Sequence, residues 1–177
     1  RYRVQRVLLT GIQQGQGRYH GMLNTLIDQK VAVHVPAPEQ DIVFADGVVL
    51  DVLWPDRTLI GQETKYSNDT SVVFRLLYGE HAILMTGDIE AATEGALLAS
   101  GQPLRASVLK VPHHGSRSSS STGFLLAIKP QLAVVQAGRD NRFGHPHHDI
   151  VKRYEKLGIA LRTTADTGTI ALSFDAS

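Results

Sequence analysis

No cysteine occurs among the 177 residues. That removes disulfide frameworks, thiol nucleophiles and cysteine-held metals, so any metal here would have to rest on His, Asp and Glu. It leaves the compartment open, because a cysteine-free chain suits either side of a membrane. Charge of one sign is also missing: Lys+Arg 18 against Asp+Glu 17 gives a formal net charge of +1. There is no global basic field to hold a nucleic acid, and any phosphate binding must be local. Long hydrophobic runs are absent as well. Ser71 to Tyr78 and His81 to Met85 are strand-length and broken by Arg75 or Gly79, far short of a membrane span, and no signal-peptide pattern appears. No internal repeat or linker is visible, and the Ser118-to-Ser121 run is too short to behave as low-complexity sequence. With 42% hydrophobic and 20% charged residues, the chain reads as one globular domain over 1–177, not as a disordered, collagen-like or coiled-coil chain. Its opening Arg1-Tyr2-Arg3, without methionine, reads as a piece of something longer.

Period and turn chemistry give the elements. Val4 to Leu9 reads as a strand, Gly11 to Gly17 as a Gly/Gln loop, and Tyr19, Met22, Leu23, Leu26 and Ile27 as the apolar stripe of a helix packed into the core. Val31 to Val35 reads as a strand stopped by Pro36 and Pro38. Asp46-Gly47 joins Ile42–Phe44 to Val48–Leu53 as a hairpin, because Asp-Gly accepts the positive φ of a tight turn. Pro55 to Ser67 lacks periodicity and reads as a mobile loop. Thr70–Tyr78 and His81–Thr86 form a second hairpin about Gly79-Glu80, rich in β-branched and aromatic residues. A helix is expected over Ile89–Ser100 with Gly101 as its cap. Strand, loop and helix then alternate: Ser107–Val111, the serine loop Gly115–Thr122, Phe124–Ile128, Leu132–Gln136, the polar loop Ala137–Pro146, His147–Leu157, and strands Ile159–Thr163 and Thr169–Phe174. Hairpins first and βα alternation afterwards indicate a layered α/β domain with a mixed sheet.

Five of the eight histidines, His113, His114, His145, His147 and His148, lie in two loops that follow expected strands. Strand ends are where α/β sheets place their sites, and Asp88 ends a strand too. Asp and neutral His are ligands of Zn²⁺ or Mn²⁺, and a metal pair can activate water and clamp both oxygens of a phosphodiester displacement. Each element also has a plainer reading. Asp88 stands where a helix N-cap would stand, His113-His114-Gly115-Ser116 would serve as an exposed turn, and Arg117 with Ser116, Ser118 and Ser119 is either a phosphate cradle or a solvated loop.

Taken in order, the segments Asn68-Asp69-Thr70-Ser71-Val72-Val73, Leu84-Met85-Thr86-Gly87-Asp88-Ile89-Glu90, Leu109-Lys110-Val111-Pro112-His113-His114-Gly115-Ser116, Asn141-x-x-Gly144-His145-Pro146, Arg162-Thr163 and Gly168-Thr169-Ile170 are far more specific than any one alone. They resemble the C-terminal metallo-β-lactamase-like domain of the ComEC competence proteins, from about Val48 to Phe174 and more loosely over Val4 to Leu53. The resemblance implies part of an αββα sandwich, and a divalent-metal-dependent nuclease or phosphodiesterase beside a membrane channel for DNA. It makes Asp88 the bridging metal carboxylate and His113 or His114 the late histidine ligand, with His113 favoured as the first off the strand. Ser116, Ser118, Asn141 and His145 would line the substrate side, with His145 or a water as proton donor to the leaving oxygen. Asn68 and Ser71 stand where related hydrolases carry a middle histidine. Lys110 would be structural.

The family's H-x-H-x-D-H motif is missing from the first 70 residues. His145-Pro146-His147-His148-Asp149 spells H-x-H-x-D, but Ile150 follows where histidine should. The string also stands after Asp88 instead of before it. The expectation is therefore a fragment that holds Zn or Mn weakly or not at all by itself, self-associates through uncovered apolar sheet surface, and belongs to a membrane protein with its soluble domain on the outer face of the cytoplasmic membrane. DNA and the channel region of the same polypeptide would be its partners. The alternatives are a non-catalytic DNA- or partner-binding module that has lost its metals, or a hydrolase of a non-nucleic phosphodiester.

Overall fold

Gly47, after Asp46, and Gly79 carry the positive φ that two tight turns need, and the β-branched segments on either side of them pair as expected. The computed structural model describes residues 3–12, 17–63 and 68–175. Strands β3 (Ile42–Val43), β4 (Val49–Trp54), β5 (Val73–Tyr78) and β6 (His81–Met85) form an antiparallel meander. From β6 the sheet continues in parallel through β7 (Val108–Lys110), β8 (Leu132–Val135) and β9 (Ala160–Thr163). The order β3-β4-β5-β6-β7-β8-β9 makes one seven-stranded mixed sheet, the layered α/β class expected from the pattern. A separate parallel pair, β1 (Arg6–Leu8) and β2 (Ala32–His34), is joined by helix α1 (Gly17–Asp28). Among the described residues no helix is long and apolar enough to cross a membrane.

Each parallel crossover is a helix: α2 (Ala91–Ala99), α3 (Thr122–Ile128) and α4 (His148–Lys156). All three contribute to one core. Leu97, Phe124, Leu125, Ile128, Ile150 and Tyr154 pack with Leu84, Leu109, Ala133 and Val135 of the sheet. Same-handed crossovers put successive helices on one face, as right-twisted strands require. The alternation of buried and half-buried residues in β8 follows from that one-sided cover.

Three expectations need correction. The α1 stripe is not buried core: Met22 and Ile27 are exposed, Ile27 at 71%, and Tyr19, Leu23 and Leu26 are only half-buried. Thr169–Phe174 is not a strand. The Thr163 side chain accepts from Ala165 N and starts a short helix, α5 (Thr164–Thr167); the residues beyond it are mostly exposed, with the Phe174 ring 4.9 Å from that of His81. The Pro55–Ser67 loop holds a 3-10 turn at Arg57–Leu59 capped by Asp56. Residues 64–67 of that loop, and 13–16 of the Gly/Gln loop, lie outside the described residues.

Candidate functional site

The loops that leave β6, β7 and β8 at their C-terminal ends meet at one sheet edge, and two glycines let them come close. Gly87, at φ +58, approaches Ser71 so tightly that a Cβ there would stand 2.5 Å from the serine Cβ. Gly115, at φ +82, does the same against Pro146, at 2.7 Å. His113 and His114 are also left-handed, at φ 45 and 55, a backbone that non-glycine residues rarely adopt. Such outliers persist where the surroundings over-determine them, and they cluster at functional sites. Here the His113 amide donates to Gly87 O at 3.2 Å, and Gly115 O accepts from His147 N at 2.8 Å.

Asp88 is not a helix cap. The N-cap position of α2 is Glu90, while Asp88 stands two residues earlier with its amide donating to Ser71 Oγ at 3.0 Å. Its carboxylate is left for the site: Oδ1 lies 3.6 Å from His114 Nε2 and 3.7 Å from Lys110 Nζ. His113 turns the other way. Its buried Nδ1 sits 3.1 Å from Glu90 Oε1 without hydrogen-bond alignment, and Glu90 Oε1 also accepts from Asn68 Nδ2 at 3.1 Å. The imidazole facing Asp88 is thus that of His114, although His113 comes first off the strand. The left-handed pair swings consecutive side chains to different partners.

The tautomer of His114 follows from its other nitrogen. Nδ1 lies 2.6 Å from Gln136 O, and a carbonyl only accepts, so Nδ1 carries the hydrogen. Nε2 then faces a carboxylate oxygen, an arrangement of two acceptors that suits a bound cation. Their 3.6 Å separation is close to the roughly 3.4 Å expected of two ligands each about 2.1 Å from a tetrahedral ion. A metal-bound histidine commonly donates its far N–H to a backbone carbonyl in this way. The fit goes no further, because among the described residues no three of His, Asp and Glu group as a metal centre. The donors stand as two pairs, Asp88 with His114 and Glu90 with His113.

His145 closes the cluster, with its ring centroid 5.7 Å from that of His113. Burial pushes its pKa down, and the imidazoles of His113, His114 and His147 push in the same direction against Asp88. It is therefore held neutral near pH 7, which weakens the expectation that it serves as a ready proton donor. Asn141 is committed to its own loop: Nδ2 donates to Gly138 O and His145 O, and Oδ1 accepts from His145 N. It shapes the loop instead of offering a phosphate donor. Ser116 Oγ and Ser118 Oγ lie 3.0 Å apart on the exposed side, whereas Ser119 and Ser120 are buried. His147 caps α4 and pairs with Arg117, and His148 is exposed, so the H-x-H-x-D string does not converge.

Three contributors were not singled out for the site in the sequence. Glu90 could have been: Ile89 is fully buried, and the residues on either side of it point together toward the edge. Lys110 is the second. Its ammonium donates to Gly87 O at 2.8 Å and Val111 O at 3.2 Å, and burial lowers its pKa against the pull of Asp88. The third is Glu94, fully buried, whose two oxygens accept from the amides of Ser120 and Ser121. Ser120 Oγ meets Tyr154 OH at 3.1 Å, and Arg153 donates to Ser119 O and Ser120 O. This network clamps the serine loop to α2 and α4, and it left no sequence signal.

No family model matches the chain. Among curated proteins it is 33% identical over 103 residues to the ComE operon protein 3 of Bacillus subtilis, covering 58% of this chain and 13% of that protein. It is 35% identical over 126 residues to the competence protein ComA of Neisseria gonorrhoeae, covering 71% and 18%. The chain thus spans less than a fifth of the curated relatives it matches. Among solved structures it aligns with a Parabacteroides distasonis protein assigned as a metal-dependent hydrolase, with TM-score 0.50 and 10% identity over 91% of this chain and 76% of that one. That likeness concerns the fold and accords with a metallo-β-lactamase-like sandwich.

Proposed function

Because this chain is a homologue of a stretch of the ComEC-family competence proteins, we propose that residues 1–177 form the C-terminal portion of a metallo-β-lactamase-like domain that acts on DNA phosphodiesters during uptake. The observation that carries the reading is the His114–Asp88 pair: an Nε2 lone pair, fixed by the Gln136 contact, aimed at a carboxylate 3.6 Å away. That pair supplies two ligands for a divalent ion, Zn or Mn, in the complete protein. The described residues do not complete the set. Around the pair, Glu90 stands beside His113, Lys110 holds the Gly87 turn, and the His145 ring and the Ser116 and Ser118 hydroxyls face the substrate side. The uncovered stripe of α1 supports self-association of the isolated chain. Placement on the outer face of the cytoplasmic membrane, beside a channel region of the same polypeptide, belongs to the same proposal.

A second reading is favoured by the absence of a three-donor cluster among the described residues: a module that binds DNA without cutting it. One experiment separates the two. In the full-length protein, Asp88→Ala and His114→Ala are each expected to abolish metal-dependent DNA cleavage, with bound manganese lost by electron paramagnetic resonance. His113→Ala should lower the rate with manganese retained. If His113→Ala empties the site and His114→Ala does not, the ligand assignment is reversed. A full-length protein that binds DNA and never cuts it with any divalent metal establishes the second reading.

A further inference from the structure

The loop between β8 and α4 presents an aromatic ring to solvent next to the histidine cluster. Phe143 is 65% exposed, an uncompensated placement for a large apolar ring. It does not hang loose. Asn141 ties the loop internally through Gly138 O, His145 O and His145 N, and Gly144 N donates to Asn141 O at 3.1 Å. The ring lies nearly parallel to that of His145, with centroids 5.7 Å apart and planes at 23°. The Arg142 guanidinium lies over Phe143, 4.7 Å from the ring centroid, and has no carboxylate partner among the described residues. Arg142, Phe143, His145 and His113 thus form a continuous run of flat groups from solvent to the centre of the site.

Single exposed apolar residues are ordinary on protein surfaces, and an exposed phenylalanine alone would carry nothing. This one is held rigid, layered with an unpaired arginine, and placed one ring away from the cluster proposed to face a phosphodiester. Stacking on aromatic faces with arginine support is how proteins hold single-stranded nucleic acid, since every base offers a π-face. A base inside a duplex has both faces covered by its neighbours and cannot use such a platform. With the net charge of the whole chain at +1, a local contact of this kind supplies affinity that a general basic field does not.

We propose that Phe143 forms a base-stacking platform that holds an unpaired nucleotide beside His145, the solvent-facing Arg142 guanidinium giving up the ring face to the base and turning to the nucleotide's phosphate. The inference rests on the reading of the site as one that meets DNA, and it adds strand selectivity and the residues that confer it.

The test is binding of the full-length protein to a dye-labelled oligothymidylate, to the same oligonucleotide with abasic positions, and to a duplex, all by anisotropy in EDTA so that nothing is cut. Phe143→Ala should weaken oligothymidylate binding by about 5- to 100-fold, the ordinary worth of one stacked base, and leave abasic binding where it was. Phe143→Trp should retain the affinity, with the new indole quenched by the oligonucleotide. Arg142→Ala should give a smaller loss. Equal binding of oligothymidylate by parent and Phe143→Ala overturns the platform while the DNA reading stands. A chain that binds none of the three probes overturns both, and preference for the duplex overturns the strand selectivity.

Discussion

The two faces of the seven-stranded sheet carry different amounts of cover. On one face α2, α3 and α4 seal Leu84, Leu109, Ala133 and Val135 completely. On the other, Phe74, Leu76, Ile83, Met85 and Val134 of neighbouring strands stay half-buried, although the register sets them side by side. The difference separates what this chain stabilises for itself from what it offers to others. The sealed face anchors the serine loop through Glu94, Arg153 and Tyr154. Lys110, two residues from Val108 along β7, belongs to the half-covered face, so the candidate site opens toward the side with less cover. The α1 stripe repeats the contrast in the N-terminal unit: amphipathic by pattern, yet half-buried at Tyr19, Leu23 and Leu26 and exposed at Met22 and Ile27.

The largest test of that contrast compares a sealed residue with an exposed one. Phe124 is fully enclosed by the core, and Ile27 is 71% exposed. Phe124→Ala should cost about 3–5 kcal/mol in urea unfolding, as large-to-small changes in a filled core do. Ile27→Ala should change stability by no more than about 0.5 kcal/mol. A large cost for Ile27→Ala that grows with protein concentration would show the stripe to be covered in a self-associated form. A large cost independent of concentration would break the comparison.

A smaller effect falls on the link between the sealed face and the site. Glu94→Ala removes the acceptor of two backbone N–H groups, those of Ser120 and Ser121. Leaving buried donors unpaired costs about 1–3 kcal/mol each, so a total of about 3 kcal/mol is expected once the loop relaxes. Hydrogen exchange gives the sharper readout: the Ser120 and Ser121 amides should lose protection while β6 and β7 keep theirs. Uniform loss across the sheet would show that Glu94 supports the whole core and not the loop.

Much of the architecture was legible because period and turn residues agree locally with the global fold. Asp46-Gly47 and Gly79 marked their hairpins, and the change from meander to βα alternation gave the mixed sheet. Where the sequence misled, tertiary placement decided. The helical spacing of Met22 and Ile27 reports amphipathicity, and amphipathicity does not say whether anything lies over the stripe. The run near Ile170 has strand propensity, but Thr163 caps a short helix directly after β9, and the described residues beyond it do not pair with the sheet. At the site, the clustering of Asp88, His113, His114 and His145 at one edge followed from strand-end placement. The partnership of His114 with Asp88 did not, because it depends on two left-handed residues that spacing cannot reveal. Glu94 was hidden for a different reason: a glutamate on a helix reads as solvent-facing until a loop 26 residues later is found to use it.

The smallest expected effect is alkaline, and it tests whether the sealed face stays sealed. Tyr154 OH is buried, which raises its pKa strongly, and Glu94 adds to the rise while Ser120 and Arg153 oppose it. Below the ordinary tyrosine pKa of about 10 the folded and unfolded chains both keep this proton, so the group contributes nothing to pH dependence. Above it the unfolded chain releases the proton and the folded chain does not, so stability falls as pH rises, by up to about 1.4 kcal/mol per pH unit. Tyr154→Phe should cost about 1 kcal/mol at neutral pH through the lost bond to Ser120 and should unfold with a shallower alkaline slope than the parent. Phenolate absorbance gives the same result directly: of five tyrosines, Tyr154 should ionise only as the chain unfolds. Equal alkaline slopes for parent and variant would mean that water reaches the α4 side of the core, and the contrast between the two faces would fail there.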